Sequence, residues 1–192
     1  MKYVIVFLHF FMLISCSTQI NQSNYSNKET QFQSFIKRQK IIQLPARIEL
    51  YKSNYSLAYP EFSDTSIFNE TTSMGTLGIL EDTSKFYYVI PMYPGDDLLP
   101  FLYVFGKNGE IIDKSGLFVG KYGSDCGCYT YGYTTISRNL KIFTQDSAVV
   151  YSCDSTGNEF RDSLSVYISS QEMVILNNGK VKQEKVVERI IK

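Results

Sequence analysis

The sequence predicts a mainly β fold, an antiparallel meander or open barrel-like sheet preceded by one N-terminal helix. Three observations carry this reading. Tyrosine and phenylalanine, both strand-favouring, occur 15 and 13 times in 192 residues. From about residue 46 onward, short apolar runs alternate with turn residues at close intervals. Asn-Gly turn signals occur at Asn108-Gly109 and Asn178-Gly179, with a looser Ser155-Thr156-Gly157 between them.

The helix is expected over about 28–40. Ser26 and Glu29 have capping-box spacing, and Phe32, Phe35 and Ile36 fall at i, i+3 and i+4 on one apolar stripe. Leu44-Pro45 ends any helical continuation, because proline holds the preceding residue extended. Strands are expected at 48–51 and 74–80, and then at 85–92 and 100–105. The latter two place Phe86, Tyr88, Ile90 and Phe101, Tyr103, Phe105 on single faces. Pro94-Gly95-Asp96-Asp97 is turn chemistry between them, and a solvated turn rather than a calcium site. Further strands are expected at 110–115, 129–137, 140–144, 148–153, 160–168 and 172–176. A last one runs over 180–187, where a helix is the alternative. Residues 54–73 lack periodicity and read as a long loop.

The chain opens with one lysine, Lys2, and an apolar run from Val4 to Ile14 broken only by His9. This is the layout of a secretory signal, and it is shorter than the roughly 20 residues that cross a bilayer. Leu13-Ile14-Ser15-Cys16 resembles the lipobox of bacterial lipoproteins. The resemblance implies cleavage after Ser15 and a diacyl- or triacylated Cys16 as the first mature residue. The expected organisation is therefore signal 1–15, lipidated tether 16–27 and one β-rich domain 28–192. The tether is polar and carries no carboxylate, so it buries too little apolar area to fold. Two or three acyl chains hold a protein durably, at about 0.8 kcal/mol per buried methylene. Ser17 after the cysteine, by resemblance to enteric sorting, implies the outer membrane. No acidic run follows to direct export to the cell surface, which favours the periplasmic face.

Composition narrows the chemistry. Loss of residues 1–15 removes His9, the only histidine, and the chain has no tryptophan. That excludes a histidine-based triad and histidine-ligated metal sites. No catalytic set, metal site or cofactor is expected. Charge is balanced at 19 basic against 19 acidic residues, with no basic cluster, which argues against nucleic acid. Ser34-Phe35-Ile36-Lys37 has Ser-x-x-Lys spacing but lacks the companion motifs of penicillin-recognising enzymes.

Three cysteines remain after lipidation, Cys126, Cys128 and Cys153, and an oxidising compartment favours a disulfide. In a simple meander of these strands, Cys153 lies near the 137–139 turn, about 25 Å from Cys128 at about 3.3 Å per residue. A bridge to Cys153 then needs a different strand order, whereas Cys126–Cys128 closes a very small ring. The pairing stays open. A redox pair or a three-thiolate zinc site is the functional alternative to a structural bridge.

Tyr129, Tyr131 and Tyr133 alternate along one strand, with Tyr122 nearby. Exposed, they form a ligand face that stacks on sugars or on a partner's apolar surface. Turned inward, they fill a thin core. Asp146-Ser147-Ala148, Asp154-Ser155-Thr156 and Asp162-Ser163-Leu164 resemble Bacteroides O-glycosylation sites, which implies modification at Ser147, Ser155 and Ser163.

The lipobox, the Phe-rich helix, Leu44-Pro45, the run 102–113 (LYVFGKNGEIID) and the run 174–181 (VILNNGKV) together resemble small Bacteroidota lipoproteins. That group carries no assigned activity. The expected function is an envelope-anchored binding or interaction module, with a carbohydrate-binding accessory lipoprotein as the alternative. Its partners are the membrane, through the lipid, and an envelope protein or a glycan.

Overall fold

A computed structural model describes residues 28–51, 55–57, 67–68, 75–94, 97–120 and 126–191. The signal, Cys16, the tether, Tyr122, Gly95-Asp96 and most of 54–73 lie outside these residues. The chain divides into two compact units, Met1–Arg38 and Gln39–Lys192. The described part of the first is one helix, α1 (28–38), on which Phe32 and Phe35 are buried with ring centroids 6.5 Å apart. That is the stripe its i, i+3 spacing dictates.

The second unit consists of two sheets. Sheet A holds β1 (Ile41–Ile42), β3 (Gly75–Leu80), β4 (Tyr87–Pro94), β5 (Leu98–Phe105) and β6 (Ile111–Gly116), in that order. Sheet B runs β10 (Val181–Gln183), β9 (Glu159–Ile175), β8 (Lys141–Cys153), β7 (Cys128–Ile136) and β2 (Ala46–Leu50). β11 (Val187–Ile191) also pairs with β9, at Val166–Ser170. The protein is mainly β with one helix among the described residues, and neither sheet closes into a barrel. One pair departs from antiparallel order, since β1 runs parallel to β3.

The core lies between the sheets. Ile48, Leu80, Tyr88, Ile90, Leu102, Val104, Ile136, Ile142, Met173 and Ile175 form one buried cluster from both. On sheet A the alternate residues are buried too, because Phe68 packs edge-on against Tyr103 and Phe105 at 5.2 and 5.9 Å. Sheet A is therefore covered on both faces at its centre, and sheet B on one.

The three glycine turns form as expected. Gly109, Gly157 and Gly179 adopt φ values of 84°, 87° and 83° in short hairpin loops, a conformation costly for other residues. Gly78 is constrained differently. Its φ is 146°, and a Cβ there would stand 2.3 Å from the Lys40 carbonyl oxygen, which accepts the Ile79 amide at 2.8 Å. Gly78→Ala is expected to prise β1 from β3 and cost about 1–3 kcal/mol. Urea unfolding checks this, and an unchanged midpoint would contradict it.

Three strand expectations need correction. Segments 140–144 and 148–153 are one strand, β8, paired without a break to β7 from Val150 to Ile142. Segments 160–168 and 172–176 are likewise one strand, β9. The expected strand over 180–187 is interrupted at 184–186, where the Glu184 amide donates to the Glu172 carbonyl, and pairing resumes in β11. In the first two cases a polar stretch that reads as a turn continues the sheet, and in the third the strand breaks where continuity was expected.

Candidate ligand-binding face

The pleat sorts the residues of sheet B. Thr134, Ile136, Ile142, Thr144, Asp146, Ala148, Ser169 and Met173 are buried toward sheet A, so their neighbours in sequence face away from it. On β7 the outward set is Tyr129, Tyr131, Tyr133 and Thr135. Tyr129 is 45% and Tyr131 60% exposed. The three tyrosines therefore do not fill the core. The inward positions of this strand hold Thr130, Gly132 and Thr134 instead.

Adjacent strands extend the row. Tyr151 meets Tyr129 edge-to-face at 6.3 Å, and Phe143 meets Tyr133 at 6.2 Å. On the β2 side, Arg47 stacks on Tyr133, its guanidinium carbon 3.7 Å from the ring centroid, and pairs with Glu49 at 2.6 Å. On the β8 side, Ser147 lies directly opposite Tyr131 and Gln145 opposite Tyr133. Tyr129 donates its phenol proton to Glu159 at 2.5 Å, a bond that raises its pKa above the usual tyrosine value. Past Tyr133 the row opens into a cleft of about 520 Å³ lined by Thr135, Lys141, Phe143, Glu172, Val174 and Glu184. Sequence reasoning found the tyrosines but missed Arg47, Phe143, Tyr151 and the cleft. No local signal marks Phe143 and Tyr151 as members of one outward face, because the polar run Gln145-Asp146-Ser147 between them reads as a turn.

The face rests on a buried polar strip. Asp146, fully buried, accepts the Val119 amide at 2.8 Å and the Tyr51 hydroxyl at 3.0 Å, and the Gly120 amide bonds it as well. Burial pushes its carboxyl pKa up, and these hydrogen bonds pull against that shift. Thr134 donates to the Leu117 carbonyl at 2.5 Å and bonds Thr144 at 2.9 Å. The irregular segment 117–120 thus satisfies its backbone against side chains of sheet B. Gly132 is opposite Asp146, and a Cβ there would stand 2.8 Å from the Asp146 Oδ1. Glycine at this point in the tyrosine row makes room for the carboxylate beneath it.

The cysteines pair as Cys126–Cys153, with Cα atoms 6.4 Å apart, and Cys128, half-buried, lies outside that bridge. This overturns the placement of Cys153 near the 137–139 turn. Because β8 is a single strand, it carries Cys153 to the Cys128 end of β7. Of the three serines expected to be glycosylated, Ser155 is exposed in the β8–β9 hairpin. Ser147 bonds the Tyr131 carbonyl, and Ser163 donates to the Phe160 carbonyl while accepting the Ser152 amide. Next to Ser155, Asp154 accepts from Thr156 and Asn158, which holds its carboxyl well below the usual range. No group of three or more metal-ligating side chains occurs among the described residues.

Comparison with known proteins finds no matching family model, no matching curated protein and no matching solved structure.

Proposed function

We propose that this chain is an envelope-anchored binding module, held by lipid on Cys16 at the periplasmic face of the outer membrane, with the outer face of sheet B as its ligand surface. One observation carries the reading. Tyr103 and Phe105 on sheet A are buried on both sides, whereas Tyr129 and Tyr131 on sheet B stand in solvent with no part of the described fold over them. Large exposed aromatic surface with interspersed polar groups marks recognition more often than stability. Carbohydrate is the ligand class this chemistry supports best, because the ring faces lie beside hydroxyl, amide and guanidinium groups. A second reading, an envelope protein as partner, is supported by β11, where Val187, Ile190 and Ile191 are more than half exposed along a strand that, among the described strands, pairs with β9 alone.

Crosslinking whole cells that carry tagged full-length protein tests the proposal, with Cys16→Ser as the unanchored control. A discrete glycan or envelope protein should co-purify with the anchored form and be lost in Tyr131→Ala. Identical background recovery from all three proteins would overturn it.

A further inference from the structure

Resting on the binding-module reading, the geometry points to a neutral, extended glycan strand as the ligand, lying lengthwise along β7 with one end in the cleft beyond Tyr133. Shape is the first ground. Tyr129, Tyr131, Tyr133 and Thr135 recur every second residue in single file, a track of about 20 Å at about 3.3 Å per residue. The cleft, of about 520 Å³, adjoins the Thr135 end, opens across β8 and β9 and is walled by Phe143 and Val174. A compact ligand would use the cleft alone and leave the row idle.

Width is the second ground. The tyrosines stand in one file on β7, with the Arg47–Glu49 pair on one side and, on the β8 side, Gln145 and Ser147 between the rings of Phe143 and Tyr151. A ribbon-like polymer with C–H faces and hydroxyl edges matches this cross-section. Its polarised C–H bonds meet the exposed rings of Tyr129 and Tyr131, one face of Tyr133 being taken by Arg47, and its hydroxyls meet the flanking polar groups. A folded protein laid here would have to desolvate those groups and pair each one.

Charge is the third. Arg47 is paired with Glu49 beside the track and Lys182 with Glu184 at the cleft, each at 2.6 Å, while Glu159 and Arg161 both act at Tyr129. At the cleft Lys141 is set against Glu172 and Glu184. No surplus of cations is offered to a phosphate or a uronate, so the surface does not select an anionic chain.

The test is an array of neutral linear oligosaccharides of graded length and varied linkage, with polygalacturonate fragments as the anionic arm, probed with the purified full chain. The expected result is binding to a neutral series that tightens with length until the track is filled. Tyr131→Ala should lose 10-fold or more while keeping its thermal midpoint. Thr135→Arg, which crowds the cleft, should weaken long oligosaccharides more than short ones. Preference for polygalacturonate, or no binding anywhere on the neutral arm, would overturn the glycan proposal. If the array is blank but Tyr131→Ala still abolishes co-purification of an envelope protein from cells, the face is a protein interface and the binding-module reading stands. If Tyr131→Ala alters neither result, both readings fall.

Discussion

Cys126→Ser should lower the thermal midpoint by roughly 7–15 °C, the largest expected effect of a single substitution outside the core. The bridge joins residues 27 apart and ties the start of β7 to the end of β8. Loop-closure entropy for a ring of that size stabilises a fold by about 3–4 kcal/mol. In a chain of this length each kcal/mol moves the midpoint by roughly 2–4 °C. Cys153→Ser should match it, and the double variant should cost no more than either single one, because both remove the same bond. Cys128→Ser should stay within about 1 kcal/mol of the parent. Calorimetry of the parent and the four variants under non-reducing conditions separates the outcomes. A large loss in Cys128→Ser with none in Cys126→Ser would contradict the pairing.

The second large effect concerns Asp146. Asp146→Ala strands the Val119 and Gly120 amides and the Tyr51 hydroxyl beneath sheet B, and should cost about 2–4 kcal/mol. Tyr51 adds to this, because it is held at a φ of 56° and its hydroxyl bond helps fix it there. Asp146→Asn keeps an acceptor oxygen for those donors and removes a buried charge, so it should lie within about 1 kcal/mol of the parent at neutral pH. The two proteins should then diverge with pH. The Asp146 carboxyl has a folded pKa above its unfolded value, so its protonation favours the fold. Its contribution is fully present below the unfolded pKa, about 3.9, and is lost as pH rises through the folded pKa. Asp154 works oppositely, since its lowered pKa gives stability above the ordinary carboxylate range that is lost in strong acid. Urea unfolding of parent and Asp146→Asn from pH 7 down to pH 4 isolates the first term. The parent should gain stability relative to the variant on acidification, and parallel curves would contradict the buried-acid assignment.

Much of the local structure was legible in the sequence. The helix at 28–38, the hairpins at Asn108-Gly109 and Asn178-Gly179 and strands β4 to β7 each follow from turn chemistry or residue period. What failed was strand length in sheet B, and the sidedness of its tyrosines stayed open. Gln145-Asp146-Ser147 reads as a turn by polarity, yet Asp146 is inward and bonded to residues 51, 119 and 120, partners no local window contains. Cutting β8 there reversed the direction of 148–153 and sent Cys153 to the wrong end of the sheet. Sidedness stayed open for a related reason. Hydrophobicity puts Tyr129, Tyr131 and Tyr133 inside and Thr130, Gly132 and Thr134 outside, and the fold does the reverse. Thr134 faces inward, where it donates to the Leu117 carbonyl, Gly132 leaves room for the Asp146 carboxylate, and the rings are left to the solvent side. A face that breaks the hydrophobic rule in this way is where function is to be sought.

The central claim is that the tyrosine row is a working ligand surface. Tyrosine-selective labelling read out by mass spectrometry tests it most directly, comparing intact cells with the purified full chain. Tyr88 and Tyr103, both buried, should stay unreactive in each and serve as internal references. In the purified protein Tyr131 should label readily. On cells, with the ligand in place, its labelling should fall by several-fold and recover in cells carrying Thr135→Arg if the cleft anchors that ligand. Equal reactivity of Tyr131 on cells and in the purified chain would mean that nothing occupies the face, and would contradict the account.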